Sequence, residues 1–235
     1  MWTLREGASR WTVAGAVGRA CADDRPRRSR TVAGTAHLIG VIVAGGGNTR
    51  FGGEPKGLRA VSGVRIIDRV ATALRRVTDD LILSANASDA EQWLAGVRVV
   101  RDARTERGSL IAIHSVLTAA AGEDVLIVAW DMPFVTSELL AEIRAKLTGG
   151  ATAVVPEGPH GLEPFCAAYA SSALPTIDRA IASGDLRVSR AVEGLPALVR
   201  LGASESAALG PPERLFFNVN NADDLATAER IARGN

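Results

Sequence analysis

The chain of 235 residues is short of several things, and each shortage narrows what it can be. Its two cysteines, Cys21 and Cys166, cannot build a disulfide framework and point to a reducing compartment. The longest apolar runs, Leu38–Ala44 and residues 125–130, fall far below the roughly 20 residues of a membrane span. The formal net charge is only +1, and no long basic tract stands in for a charged surface, which argues against nucleic acid as a partner. The 24 glycines and 10 prolines follow no triplet period, so a collagen-like fibre is excluded. What is present is the balance of a globular protein that buries a core, with 47% hydrophobic and 23% charged residues. These features predict a cytoplasmic protein with no nucleic-acid or membrane partner.

Lysine is scarcer still. Of the 27 basic residues only Lys56 and Lys146 are lysines, and 25 are arginines. Such a bias looks like drift from Lys to Arg wherever either serves. A lysine that survives it marks a place where a compact ammonium rather than a planar fork is required. Lys146 sits late in a predicted helix, where any cation complements the macrodipole. Lys56 sits in a glycine-rich loop and has no such explanation.

Residues 1–36 differ from the rest. They carry a net charge of +4 without a sustained apolar period, so the remainder carries −3. The mildly apolar stretch 11–17 is too short and glycine-broken for a secretory signal. The segment reads as a disordered basic tail, or an extension upstream of the true start codon. From Leu38 onward strands and helices alternate. Strands are predicted at Leu38–Ala44, 81–84, 97–100, 125–130, 151–155, 165–169 and 216–219. Helices are predicted at 64–77, 89–94, from a Ser109 cap onward, 137–147, 172–182, 187–192 and from about 222. This alternation with fully apolar strands predicts an α/β domain over 37–235 built on a doubly wound, mostly parallel sheet. Ligands in that architecture bind beyond the carboxyl ends of the strands, here the loops after Ala44, Val100, Trp130 and Val219.

The first of these loops runs Gly45-Gly46-Gly47-Asn48-Thr49-Arg50-Phe51-Gly52-Gly53-Glu54-Pro55-Lys56. Its glycines let backbone N–H groups close around an anion, and Arg50 and Lys56 supply countercharge. It is not a Walker A loop, because Gly53 stands where lysine must follow. Nor is it a dinucleotide fingerprint, because Arg50 replaces the third glycine. A triphosphate cradle is the better fit. Asp131, after the apolar strand 125–130 and opposite this loop, is placed to ligate Mg²⁺. Asp102 ends another strand, where a carboxylate can accept hydrogen bonds from a base or ribose; its alternative is pairing with the surrounding arginines. Asn218 and Asn220 alternate along an extended segment and project to one side, while Asn220 or Asn221 could instead cap the last helix. His37, His114 and His160 lack metal-ligand spacing and read as structural, as do buried Cys166, Trp130 and Phe134.

In order and spacing, Val43-Ala44-Gly45-Gly46, Arg50-x-Gly52, Lys56, Asp102, Gly108-Ser109-Leu110, Asp131-x-Pro133 and Asn218-Val219-Asn220 resemble molybdenum cofactor guanylyltransferases of the MobA type. The resemblance runs from about Leu38 to the C-terminus. It implies a Rossmann-like nucleotidyltransferase fold and transfer of GMP from GTP to the terminal phosphate of molybdopterin, with Mg²⁺ as cofactor. It implies that Val43, Ala44, Gly45 and Gly46 meet the guanine and ribose end, with Ser84 at the nucleoside site and Asp102 contacting the nucleoside. Arg50 and Lys56 would hold the triphosphate, Asp131 the metal, and Asn218 and Asn220 the junction with the pterin acceptor. Glu163-Pro164 and Leu186-Arg187 lie in the half that resembles the pterin side. Transient contacts with other cofactor-biosynthesis or molybdoenzyme-maturation proteins are implied as well. Three positions depart from the family pattern. Gly108-Ser109-Leu110-Ile111-Ala112 lacks a proline and a second glycine, Ser84 stands where asparagine is frequent, and Trp130 stands where a small residue is usual. The alternatives are a cytidylyl or other nucleotidyl transferase, or a non-catalytic nucleotide or cofactor binder.

Overall fold

The computed structural model describes residues 37–45, 55–102 and 108–234. The tail assigned to residues 1–36, together with Gly46 and Arg50, lies outside the described residues. The first strand, β1 (Leu38–Ala44), is buried along its length. Its alternate side chains enter two separate layers: Leu38 and Ile42 face one, and Ile39, Val41 and Val43 the other. That two-sided burial is why the run is apolar without alternation.

A hairpin of β2 (Ala60–Val61) and β3 (Val64–Arg65) follows, where the helical period had suggested that the helix was already under way. Ser62 and Gly63 turn it with φ of 49° and 76°, the pair of positive angles that a tight two-residue hairpin turn demands. Helix α1 therefore spans only Ile66–Arg75. Then come β4 (Asp80–Ala85), β5 (Arg98–Val100), α2 (Ser109–Ala119), β6 (Asp124–Ala129) and α3 (Ser137–Thr148). The helix expected over 89–94 is a single 3-10 turn, Ala90–Gln92. Ser109 does not cap α2: Gly108 holds the cap position, and no side chain bonds to the free amides there. Thr136 does cap α3, accepting from the Leu139 N–H at 3.3 Å.

The second half contains β7 (Ala153–Gly158), β8 (Gly161–Leu162), β9 (Cys166–Tyr169), α4 (Leu174–Ala182), α5 (Val188–Glu193), β10 (Leu198–Leu201), α6 (Ala203–Leu209), α7 (Pro212–Leu215) and α8 (Ala222–Ala232). The strand expected over 216–219 does not form. Pro211 and Pro212 start α7, which uses the chain as far as Phe216, and the extended remainder makes one backbone bond to β6's continuation, from Val219 N–H to the Asp131 carbonyl at 2.9 Å. The elements β8, β10, α6 and α7 have two to seven residues each, too short to show a period.

The strands lie in the order β10-β7-β9-β6-β1-β4-β5, with β8 pairing β7. All path neighbours are parallel except those of β9, which runs against both β6 and β7. The short connection from β7 to β9 leaves no room for the crossover that parallel pairing needs, so β9 must turn back. Helices α1 and α3 cover one face and α2, α4 and α5 the other, each contributing to a separate apolar cluster. Among the described residues no helix is long and apolar enough to cross a membrane.

Candidate active site

Strands β1 and β6 are register neighbours, Val43 opposite Ala129, so the loops that leave their carboxyl ends emerge side by side. From the first comes Lys56, which opens a 3-10 turn behind Pro55. From the second comes Asp131, held by the Trp130 N–H bond to the Val43 carbonyl at 3.1 Å and by its own carbonyl's bond from Val219. The Lys56 ammonium donates to Asp131 Oδ2 and, at 2.9 Å, to Asn220 Oδ1. Their separations along the chain are 75 and 164 residues. The Lys56 and Asp131 side chains are 17% and 10% exposed, so the pair is largely buried and shielded from bulk screening. Asp131 Oδ1 is buried and accepts no hydrogen bond among the described residues.

The two asparagines are not equivalent. Asn218 turns back, donating through Nδ2 to the Phe216 carbonyl at 2.9 Å, while Asn220 reaches Lys56. Asn221 supplies the cap of α8, accepting from Asp223 and Asp224 N–H groups at 2.9 Å each, with Asp224 returning a bond to Asn221 N–H. Capping by Asn221 leaves the Asn220 side chain available to the site.

A second group lies on the other flank of β1. Val43 is opposite Ser84 on β4, and Ser84 is opposite Val100 on β5. Just beyond the strand ends, Asn86 and Asp102 form a reciprocal pair. Asn86 Nδ2 donates to Asp102 Oδ2 at 2.7 Å, and the Asp102 N–H donates to Asn86 Oδ1 at 2.9 Å. Asp102 Oδ1 is buried and unpartnered. Sequence reading singled out Ser84, which is buried in the strand; Asn86, two residues on and on the same side by strand alternation, carries the contact. Asp102 is thus not neutralised by an arginine among the described residues.

On the remaining flank, the turn Glu163-Pro164-Phe165-Cys166 leads into β9, and the Phe165 carbonyl accepts the Ala129 N–H at 2.8 Å. Burial pushes the Glu163 carboxyl up to about 7, and burial likewise pushes the Cys166 thiol up. Arg187, with help from Arg190, holds the Asp185 carboxyl well below the usual carboxylate range. His114 pairs with Asp178 at 2.8 Å, and His37 lies 3.9 Å from Glu123. Lys146 joins Glu142 and Glu205 on the surface. No group of three or more His, Cys, Asp or Glu side chains comes together among the described residues. A cation here would be held as Mg²⁺ commonly is, by one or two carboxylates with the rest of its shell from phosphate and water. Asp131, with one oxygen facing no donor, fits that role.

Comparison with known proteins gives the family. The MobA-like NTP transferase domain matches residues 40–199. A molybdenum cofactor guanylyltransferase of Desulfosudis oleivorans is 34% identical over 193 residues, covering 82% of this chain and 94% of that protein. A probable molybdenum cofactor guanylyltransferase of Pelotomaculum thermopropionicum is 36% identical over 196 residues, covering 82% and 92%. Among solved structures, the molybdopterin-guanine dinucleotide biosynthesis protein A of Archaeoglobus fulgidus superposes with a TM-score of 0.70 at 25% identity, over 84% of this chain and all of that one. A mostly parallel sheet with Lys56 and Asp131 brought together beyond its strand ends, matched over most of its length by these relatives, makes the chain a nucleotidyltransferase that belongs to the MobA-like NTP transferase family.

Proposed function

We propose that this protein transfers GMP from GTP to the terminal phosphate of molybdopterin, releasing pyrophosphate, with Mg²⁺. The observation that carries the reading is the Lys56 ammonium held between Asp131 and Asn220, beside an Asp131 oxygen that accepts no bond among the described residues. An oxygen of the acceptor's phosphate attacks the α-phosphorus of GTP and forms a new phosphoanhydride. The bond from that phosphorus to the bridging oxygen breaks, and pyrophosphate leaves with the electron pair. The incoming phosphate is already a nucleophile, so no covalent protein intermediate is required.

The protein's task is to bring two polyanions together and offset their repulsion. Lys56 supplies a preorganised cation, and its hold on Asn220 directs it toward the segment assigned to the acceptor. Asp131 would hold Mg²⁺, which supplies charge neutralisation at the phosphate oxygens when bound. Arg50 would add countercharge from the glycine loop. Val43, Ala44, Gly45 and Gly46 would line the nucleoside end together with Ser84, and the open oxygen of Asp102 would take a ribose or base donor, steadied by Asn86. Asn218 and Asn220 would meet the acceptor.

The test is pyrophosphate release by the purified full chain with Mg²⁺ and molybdopterin, comparing GTP with CTP. The expected result is release with GTP and a guanine dinucleotide product. Release with CTP alone would transfer the assignment to the cytidylyl branch, and silence with both from folded protein would overturn the catalytic reading.

A further inference from the structure

Both halves of the Lys56–Asp131 pair are joined by one peptide bond to residues that pack on each other. Gly57 follows Lys56, and Trp130 precedes Asp131. A Cβ built on Gly57 would lie 2.4, 2.6 and 3.0 Å from Cε3, Cδ2 and Cγ of Trp130. Only a residue without a side chain fits there. The reason is space and not backbone angle, since Gly57 is not among the positive-φ glycines.

The indole is itself tightly fixed. Trp130 is 2% exposed, its backbone N–H donates to the Val43 carbonyl, and its ring stacks on Trp93 with centroids 5.1 Å apart and planes 20° from parallel. Trp93 is anchored in turn, with Nε1 donating to Asp89 at 3.1 Å and its carbonyl accepting from Arg65 at 3.1 Å. Yet Trp130 Nε1 is buried with no hydrogen-bond partner. A buried donor without a partner is a cost that phenylalanine or leucine would avoid, while the indole's buried area and its stack on Trp93 act in the opposite direction. The indole face lies directly against the backbone next to Lys56, a side chain whose flexible four-carbon stem has no rigid geometry of its own.

We propose that Trp130 is a positioning residue for Lys56, and that Gly57 is the complementary gap that admits it. The proposal rests on the role given above to Lys56. A methyl group at Gly57 would have to displace the Lys56 backbone or the Asp131 backbone by about 1 Å, a misplacement worth about 100-fold in rate.

A double-mutant cycle on the full chain decides the matter, using wild type, Gly57→Ala, Trp130→Leu and the double variant. Titration calorimetry with Mg·GTP gives affinity and the fraction of protein that binds, and pyrophosphate release gives kcat and KM. Gly57→Ala is expected to lower kcat about 100-fold and to weaken triphosphate binding. The double variant is expected to do no worse than Trp130→Leu alone. A merely structural contact would lower the binding fraction and leave the affinity of that fraction unaltered. A folded Gly57→Ala within threefold of wild type, or a double variant showing the product of the two single losses, overturns the proposal. If these variants do not fold, Trp130→Phe keeps an aromatic face for Trp93 and withdraws bulk from Gly57. A several-fold fall in its kcat supports the proposal and an unchanged kcat overturns it. Wild type that binds GTP without transferring it would sink the acceptor assignment, while the coupling is still read from affinity. Preference for another triphosphate would sink the base assignment, and the same cycle is then run with that nucleotide.

Discussion

Replacing Lys56 by alanine removes the cation between Asp131 and Asn220 without cutting into a long element, because Lys56 opens a turn of three residues. Stability and catalysis respond differently. In the unliganded protein the Asp131 carboxylate loses an ammonium, and a hydrogen bond to a charged group contributes about 1.5–3 kcal/mol. Removing Lys56 also relieves the desolvation of the ammonium, which offsets part of that loss. With side chains 17% and 10% exposed, the net effect is about 1 kcal/mol, a fall of roughly 2–4 °C in melting temperature. Catalysis suffers more, because negative charge gathers at the site as pyrophosphate departs. One missing preorganised donor costs about 2–4 kcal/mol of transition-state stabilisation, or roughly 30- to 1,000-fold in kcat/KM. Lys56→Arg should recover little of it, since a planar fork does not replace a point charge shared by two acceptors. The assay is steady-state pyrophosphate release alongside a melting curve. A kcat/KM within threefold of wild type, from protein melting within a few degrees of it, would refute the reasoning.

Asp131→Asn keeps an acceptor for Lys56 but removes the charge that would hold the metal. It should raise the Mg²⁺ concentration for half-maximal rate and lower kcat at least 100-fold, which a metal titration of the rate would check. Glu163, with its carboxyl raised to about 7, is expected to make stability fall with rising pH. Below the ordinary carboxyl range both states hold the proton; between there and about 7 the unfolded chain releases it first, so unfolding gains. Glu163→Gln should therefore gain stability over wild type as pH rises from 5 to 8. After discounting for partial exposure the gain is about 1 kcal/mol, measured by denaturant melts at several pH values. Deletion of residues 1–36 should leave kcat and melting temperature nearly unchanged, because the family match starts at residue 40; a loss of activity in the truncated chain would show that the segment contributes to the site.

The central strands were legible because each is a local property. Leu38–Ala44 is apolar throughout and is buried on both faces. The failures have identifiable causes. The helix start at 64 was misplaced because Ser62 and Gly63 build a turn that competes with the helical period. The strand at 216–219 was lost to two prolines that begin a helical turn instead. Asn86 went unassigned because nothing local says that β5 lies beside β4, which is what brings Asp102 to it. Trp130 is a core residue, as its sequence context indicates, but its packing against a glycine 73 positions earlier is visible only in the fold.

By itself, then, the sequence determined the alternation of strands and helices, the two-sided burial of β1 and β6, and the kinds of group at the strand ends: a surviving lysine, a carboxylate before a proline, and paired amides. Burial pattern and turn chemistry act over a few residues, so they can be read along the chain. Which amide meets the lysine, which carboxylate oxygen stays open and which indole lies against the backbone beside the lysine were decided only in three dimensions. Lys56, Asp131 and Asn220 meet across separations of 75 and 164 residues. Their meeting depends on β1 lying beside β6 in a register fixed by packing the whole sheet against its helices, and no local stretch of chain contains that information.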